Sequence, residues 1–213
     1  MKKRILSIAF MVTYLTCMSQ GNEFTQVMGE TLKQYSTCKT IDDFQTVGNR
    51  FALIASNEQT QWLPLYYHAH CYIIMSFIDQ PDAIKKDNYL DIAEKSIKKM
   101  IELVPEESEV YALQSFLYLA RLVIDPMARG LQYGPLSLQT AGIALGLDSG
   151  NPRAKLIKLQ SEIGTARFFG KDAKEFCPQA IALIANWDNY QTKSPLHPKW
   201  GKNQVEKIVE GCK

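Results

Sequence analysis

Apolar residues recur at helical spacing along nearly the whole chain. Phe24, Val27, Met28, Leu32 and Tyr35 line one face of a first helix. Thr40 opens a second, with Asp43 as the capping-box acid three residues on, and Ile41, Phe44, Val47, Phe51 and Ile54 turned inward. From about Gln61 to Phe77 the pattern is apolar nearly all round, which predicts a central helix buried on both sides, with Trp62, Tyr66, Tyr72 and Phe77 in the core. After Gln80-Pro81-Asp82 a long helix carries Ala93, Ile97, Met100, Ile101 and Val104 on one side, with Glu94, Lys95, Lys98, Lys99 and Glu102 on the other. Pro105 stops it. Glu106 and Glu107 open the next, where negative charge suits the N-terminal end of a helix dipole.

Residues 126–150 are the least regular, with Pro126, Pro135 and glycines at 130, 134, 142, 146 and 150. Leu138, Ala141 and Leu145 keep helical spacing, so a helix is predicted from about Pro135 to Leu147 even though each glycine costs roughly 1 kcal/mol. Asn151-Pro152 restarts the pattern as a cap followed by proline at the first helical position. Further helices are expected from about Asp172 to Trp187 and from about Trp200 to Cys212, and no run of alternating β-branched residues reads as a strand.

One stretch is written twice. Tyr67 to Met75 and Tyr111 to Leu119 match at Tyr67/Tyr111, Cys71/Ser115, Tyr72/Phe116, Ile73/Leu117 and Met75/Leu119, each pair 44 residues apart. Such recurrence predicts an all-α fold of stacked helical hairpins, an α-solenoid of about eight or nine helices in which neighbouring units bury each other's apolar sides. The unit exceeds the 34 residues of an ordinary tetratricopeptide repeat, so the array is repeat-like. Tyr111, Gln114, Tyr118 and Arg121 form a second stripe opposite Val110, Leu113, Leu117 and Ala120. Shifting by 44 brings in Tyr67 and His70 on one side, and Lys155, Lys158 and Glu162 on the other. If the first helix of each hairpin lines the concave surface, these residues form a mixed aromatic and polar groove for a partner, since Tyr and Arg carry much of the binding energy at interfaces. Packing against the next hairpin is the alternative.

The N-terminus changes the charge picture. Basic Met1-Lys2-Lys3-Arg4, the apolar run Ile5 to Leu15 and the small or polar residues Thr16 to Gln20 have the three zones of a secretory signal peptide. The run is short of the about 20 residues a spanning helix needs. Cleavage is expected between Ser19 and Gln20, leaving one helical-repeat domain over 20–213; lipid attachment at Cys17 is the competing reading. Removing Lys2, Lys3 and Arg4 takes the formal charge from +2 to −1, which leaves no pull toward nucleic acid or anionic lipid. Of the remaining cysteines, Cys177 shares a stripe with Ala173, Phe176, Ala180, Ile181 and Ile184, and Cys212 shares one with Val205, Ile208 and Val209. An exported chain can oxidise them, so a Cys177–Cys212 bond pinning the last helix is expected, with two buried free thiols as the alternative.

The tract Asn151-Pro152-Arg153-Ala154, then Phe168-Phe169-Gly170-Lys171, Ala173, Cys177-Pro178 and His197-Pro198-Lys199-Trp200-Gly201 resembles exported tetratricopeptide-repeat-like proteins of Bacteroidetes. Trp62-Leu63-Pro64-Leu65-Tyr66-Tyr67 is similar to the central helix of that family. The similarity spans most of the chain beyond the signal. It departs from the family at Gly164-Thr165-Ala166-Arg167, where a Tyr-Tyr-Thr-Pro-like turn is usual. The resemblance implies a helical-repeat fold and carries no chemistry.

Catalytic signatures are absent from the pattern. His68 and His70 are two apart, so on a helix they point about 200° from each other and cannot chelate one ion. There is no CxxC pair, nucleophile elbow, GxGxxG or phosphate loop. The expected function is therefore an exported scaffold of the periplasm or envelope that binds a protein or peptide with no cofactor, metal or catalysis. A structural bridge in an envelope assembly, and a small hydrolase or carbohydrate-processing protein whose site the fold assembles, are its rivals.

Overall fold

The computed structural model describes residues 23–212. The expected signal peptide, its expected cleavage site and Cys17 lie outside the described residues. Helix α1 covers 23–35. It is followed by α2 (Ile41–Asn57), α3 (Leu63–Ile78), α4 (Ala83–Leu103), α5 (Ser108–Ile124), α6 (Pro126–Leu147), α7 (Pro152–Phe168), α8 (Cys177–Ala185) and α9 (Lys202–Glu210), with short 3-10 turns at Ala173–Phe176 and Trp187–Asn189. Among the described residues there is no strand.

The starts are set by local chemistry. Thr40 and Asp43 exchange side-chain and backbone bonds in a full capping box. Asp82 caps α4, Glu107 caps α5, and the Asn151 side chain accepts from the amides of Arg153 and Ala154 to launch α7. One further launch is where the sequence expectation fell short. Asp125 accepts from the Ala128 amide and Pro126 stands at the first position, so α6 begins nine residues before Pro135, which sits inside the helix. This is the signature seen at Asn151-Pro152; the glycines hid it. An interior proline costs about 3 kcal/mol, and the tight packing of α6 on α5 offsets it. The single helix expected over 172–187 is instead a 3-10 turn running into α8 and a second turn at Trp187.

Consecutive helices from α2 to α9 pack as neighbours, and α5 also touches α3 and α7 directly, as the first helices of successive hairpins. One core runs through the stack, with Phe51, Tyr66, Ile73, Met75, Leu90, Ile97, Leu113, Leu117 and Leu156 fully buried. Phe77, expected in the core, is 40% exposed and lies flat on Phe116 with ring centroids 5.3 Å apart.

The side of α3, α5 and α7 that would be an open groove is covered by the chain itself. After Trp187 the chain crosses back as a strap. The Tyr67 hydroxyl donates to the Leu196 carbonyl at 2.8 Å, the Trp200 indole N–H donates to the Tyr66 hydroxyl at 2.9 Å, and Gln160 donates to Gln204 at 3.0 Å. Gly201 turns the strap into α9 with φ +112, and a Cβ there would stand 2.6 Å from the Trp187 ring. Only glycine permits both the backbone and the approach. The Cys177–Cys212 disulfide ties α9 to α8, Cα atoms 5.8 Å apart, while Cys38 and Cys71 are free thiols.

Under the strap lies a buried ion pair. Arg153 and Glu109 are 2% and 1% exposed, and the guanidinium donates to both carboxylate oxygens, at 2.6 and 2.5 Å. Asn151 donates to Glu109 and to Ser108, whose hydroxyl donates to the Ala144 carbonyl. Tyr190 of the strap lies against the guanidinium, 5.4 Å from its ring centroid, and donates to Asp148. Burial pushes the Glu109 carboxyl up while Arg153 pulls it down. Thus a bidentate contact joins α5 to α7, and the Tyr190 ring lays the strap against it.

Candidate ligand-binding site

A recess lies beside the strap. Between the end of α1, α2, α3 and the start of α9 there is a cavity of about 340 Å³ lined by Tyr35, Phe44, His70, Ile74, Trp200 and Lys202, among others. That volume lies at the lower end of the range for small-molecule sites. The sequence builds its walls in a direct way. The all-round apolar pattern of α3 puts Tyr67 and His70 on the side away from α4, and the stripe of α1 ends at Tyr35, so the rings meet. Tyr35 lies edge-on to Phe44, Phe51 and Tyr67 with centroids 5.5 to 6.2 Å apart, and Phe51 stacks on Tyr67 at 5.2 Å. From the strap, Trp200 stacks on Phe116 at 5.2 Å and tilts over His70 at 4.9 Å.

His70 is the one strongly polar group in this wall. It is 2% exposed, and burial pushes its pKa down to about 3, so the imidazole is neutral. Its Nδ1 is bonded to the Tyr35 hydroxyl at 2.8 Å, while its Nε2 is buried with no partner. Burial raises the Tyr35 phenol far above its ordinary range, so that group stays protonated too. At the rim, Lys199 is exposed and Lys202 pairs with Asp188 at 2.5 Å. The site is thus a slot with aromatic rings on one side, the polar side chains of Ser36, Asn203 and Gln204 on the other, a neutral imidazole inside and lysines at its edge.

A second recess of about 190 Å³ is lined by Gln34, Thr37, Cys38, Asp43, Thr46 and Val47. Burial and the nearby Asp43 push the Cys38 thiol up, which makes it a poor nucleophile. Among the described residues no three His, Cys, Asp or Glu side chains are grouped as around a metal ion.

The residues expected to form one groove are divided. Tyr67 and His70 are core groups at the covered end, and Tyr67 is closed by Leu196. Tyr111, half-buried, donates to the Pro105 carbonyl. Gln114 bonds to Tyr118, which stacks on Tyr133 of α6. Arg121, 6% exposed, is held by Asp87, Asp91 and Glu94 of α4, and Arg129 and Lys98 share in balancing Asp87 and Glu94. Tyr118 and Arg121 of this stripe therefore reach α6 and α4, the packing against a neighbouring hairpin that was the alternative to a groove. Lys155 and Lys158 are exposed on α7, where Lys158 lies 3.7 Å from Glu162.

Sequence reasoning missed Tyr35, Phe44, Phe116 and Trp200 as site residues. Trp200 carried a signal, a tryptophan beside a glycine in the otherwise polar His197-to-Gly201 tract. The others read as ordinary core positions, and nothing local distinguishes them.

No protein-family model matches the chain, and no curated protein does. Among solved structures it is similar to the HusA haemophore from Porphyromonas gingivalis, 27% identical, with 91% of this chain and 94% of that one covered and a TM-score of 0.78. Porphyromonas gingivalis belongs to the Bacteroidetes, the phylum to which the motif resemblance pointed. The likeness supports a binding role over a catalytic one.

Proposed function

We propose that this chain is an exported, non-catalytic binding protein whose ligand is haem, received at the aromatic slot between α1, α2, α3 and α9. The observation that carries this reading is the likeness to a haemophore over nearly the full length of both chains. The slot supports it independently. Rings of Tyr35, Phe44 and Trp200 offer apolar faces to a flat macrocycle, and Lys199 and Lys202 stand where carboxylate side chains of such a ligand would emerge. The cavity is smaller than a whole tetrapyrrole. Trp200 would have to swing aside with the strap, pivoting about Gly201, to admit more than one edge.

Export rests on the N-terminal zones, and no described helix is long and apolar enough to cross a membrane. A protein partner is the second reading. Its surface is the exposed apolar start of α6, where Met127 and Leu131 are 79% and 92% exposed, since the strap closes the concave groove.

Titrating the purified mature protein with ferric haem tests the proposal. A saturable change in the Soret band at micromolar haem, at one haem per chain and weakened at least tenfold by Trp200→Ala together with Phe44→Ala, is the expected result. Haem spectra indistinguishable from those with an unrelated helical protein would reject it.

A further inference from the structure

We propose that the outward side of α6 is an interface for a second copy of this chain, the two α6 helices lying antiparallel about a two-fold axis that passes midway between Leu136 and Ser137. The proposal is independent of the haem reading, and it gives a partner to the exposed apolar start of α6.

The surface chemistry of α6 differs from that of α4, the second helix of the preceding hairpin. Helix α4 presents Lys95, Lys98, Lys99 and Glu102 to water, as a solvated helix face does. In the 22 residues of α6 the one charged side chain is Arg129, which pairs with Asp87, and no exposed position of the helix carries a charge. Ser137, Thr140, Ala141 and Ala144 are buried on the other side, where Ser137 bonds to Ser115 of α5 and Ser161 of α7. The outward apolar residues are therefore surplus to this chain's own core, with Leu131 92% and Met127 79% exposed.

The order of these residues selects a second copy as the occupant. Met127, Leu131, Pro135, Leu138, Gly142 and Gly146 share one stripe, at successive spacings of four, four, three, four and four, which read the same in both directions. Laid antiparallel, Met127 meets the partner's Gly146, Leu131 meets the partner's Gly142, and Pro135 meets the partner's Leu138. Bulk at one end of the stripe fills the notches at the other. Those notches are open, since a Cβ on Gly142 or Gly146 would have nothing within 4 Å. Glycine weakens a helix, and no contact within this chain calls for it at either position. Close approach of another backbone does. An isologous contact sets a surface against itself, and this one opposes no like charges along the stripe.

Size sets the strength. A helix of 22 residues is about 33 Å long. Its outward stripe covers less than the roughly 800 Å² a side of a standard interface, so the dimer is weak and forms with rising concentration.

Sedimentation velocity of the mature chain from about 1 to about 500 μM tests this, with a mass that climbs from monomer toward dimer as the expected result. Leu131→Glu, at an exposed site, should weaken association at least tenfold while helicity, the urea midpoint and haem affinity stay as in the parent. Register is read by oxidation on a Cys38→Ser background. A mixture of Leu131→Cys and Gly142→Cys chains should cross-link, and neither chain alone should, because antiparallel pairing holds like positions about 16 Å apart, beyond disulfide reach. A parent that is monomeric throughout, association unaffected by Leu131→Glu, or self-cross-linking of either cysteine variant overturns the proposal. A monomeric parent whose haem affinity falls in Leu131→Glu would give the face to the ligand instead. One that binds phosphatidylcholine vesicles, and loses them in that variant, would give it to a lipid surface.

Discussion

Helices α3 and α5 carry the same string of residues and meet opposite fates. Tyr67 is 3% exposed and His70 2%, while Tyr111 and Gln114, their counterparts 44 residues on, are half-buried and reach only local partners. Where α3 has Phe77, 40% exposed, α5 has Arg121, 6% exposed among carboxylates. The helix faces do not explain this. The neighbours do: α3 is flanked by α1 and α2 and roofed by the strap, whereas the corresponding stripe of α5 faces α4 and α6. A repeated helix face thus borders a recess in one place and becomes a polar seam in another, according to what the rest of the chain lays against it.

The most severe way to break that contrast is to loosen the strap. Glu109→Ala would leave Arg153 buried without its counter-charge and free the guanidinium against which Tyr190 rests. Breaking one partner of a buried, hydrogen-bonded pair costs about 3 to 5 kcal/mol. The urea midpoint should fall accordingly. If the strap is what distinguishes the helices, Tyr67 and His70 should also gain solvent exposure before global unfolding, visible as faster amide exchange in α3 and the strap. A change under 1 kcal/mol would mean that water reaches the pair in solution and that the lock lies elsewhere.

Acid sharpens the contrast with a somewhat smaller effect, because α3 carries buried imidazoles and α5 carries none. Burial depresses His68 to about 4, with a lesser push from Lys99, and His70 to about 3, against 6.5 when unfolded. Below pH 6.5 the unfolded chain takes up protons the folded one refuses, so this part of the stability is complete above that value. It is lost progressively as pH falls toward 4 for His68 and 3 for His70, by on the order of a few kcal/mol in all. Amide protection should therefore fail in α3 before α5 as pH drops from 7 to 4. His68→Gln with His70→Gln should flatten the slope of stability against pH in that window; an unchanged slope would assign the acid sensitivity to carboxylates instead.

Much of the fold was legible because helix starts and stops are local. Thr40 with Asp43, Asn151 with Pro152, and Pro105 declare themselves within four residues, and the Cys177 and Cys212 stripes pointed to the bond that ties α8 to α9. The start of α6 was missed because the glycines at 130 and 134 and Pro135 outweighed Asp125-Pro126 in a reading by propensity. The site was barely legible. His70 was named for a groove and sits at a cavity, but its partners Tyr35 and Trp200 lie 35 and 130 positions away, and no periodicity encodes contacts at that range. Nor could spacing show that the concave face is roofed, since the polar tract after Trp187 reads as a loop.

The gentlest test takes the other side of the contrast. Tyr118, Lys155 and Lys158 were expected to line the same groove as His70, yet Tyr118 packs on Tyr133 and both lysines stand in water. Truncating the lysines to alanine should change stability by no more than about 0.5 kcal/mol, as for surface positions generally. Tyr118→Ala gives up a half-buried ring and one stacked pair, about 1 kcal/mol. None of the three should alter haem affinity by more than twofold, because each lies outside the slot beside His70. A larger loss of affinity from these changes than from Trp200→Ala would place the ligand on the α5–α7 face, and the strap would then be a roof over core and not over a binding site.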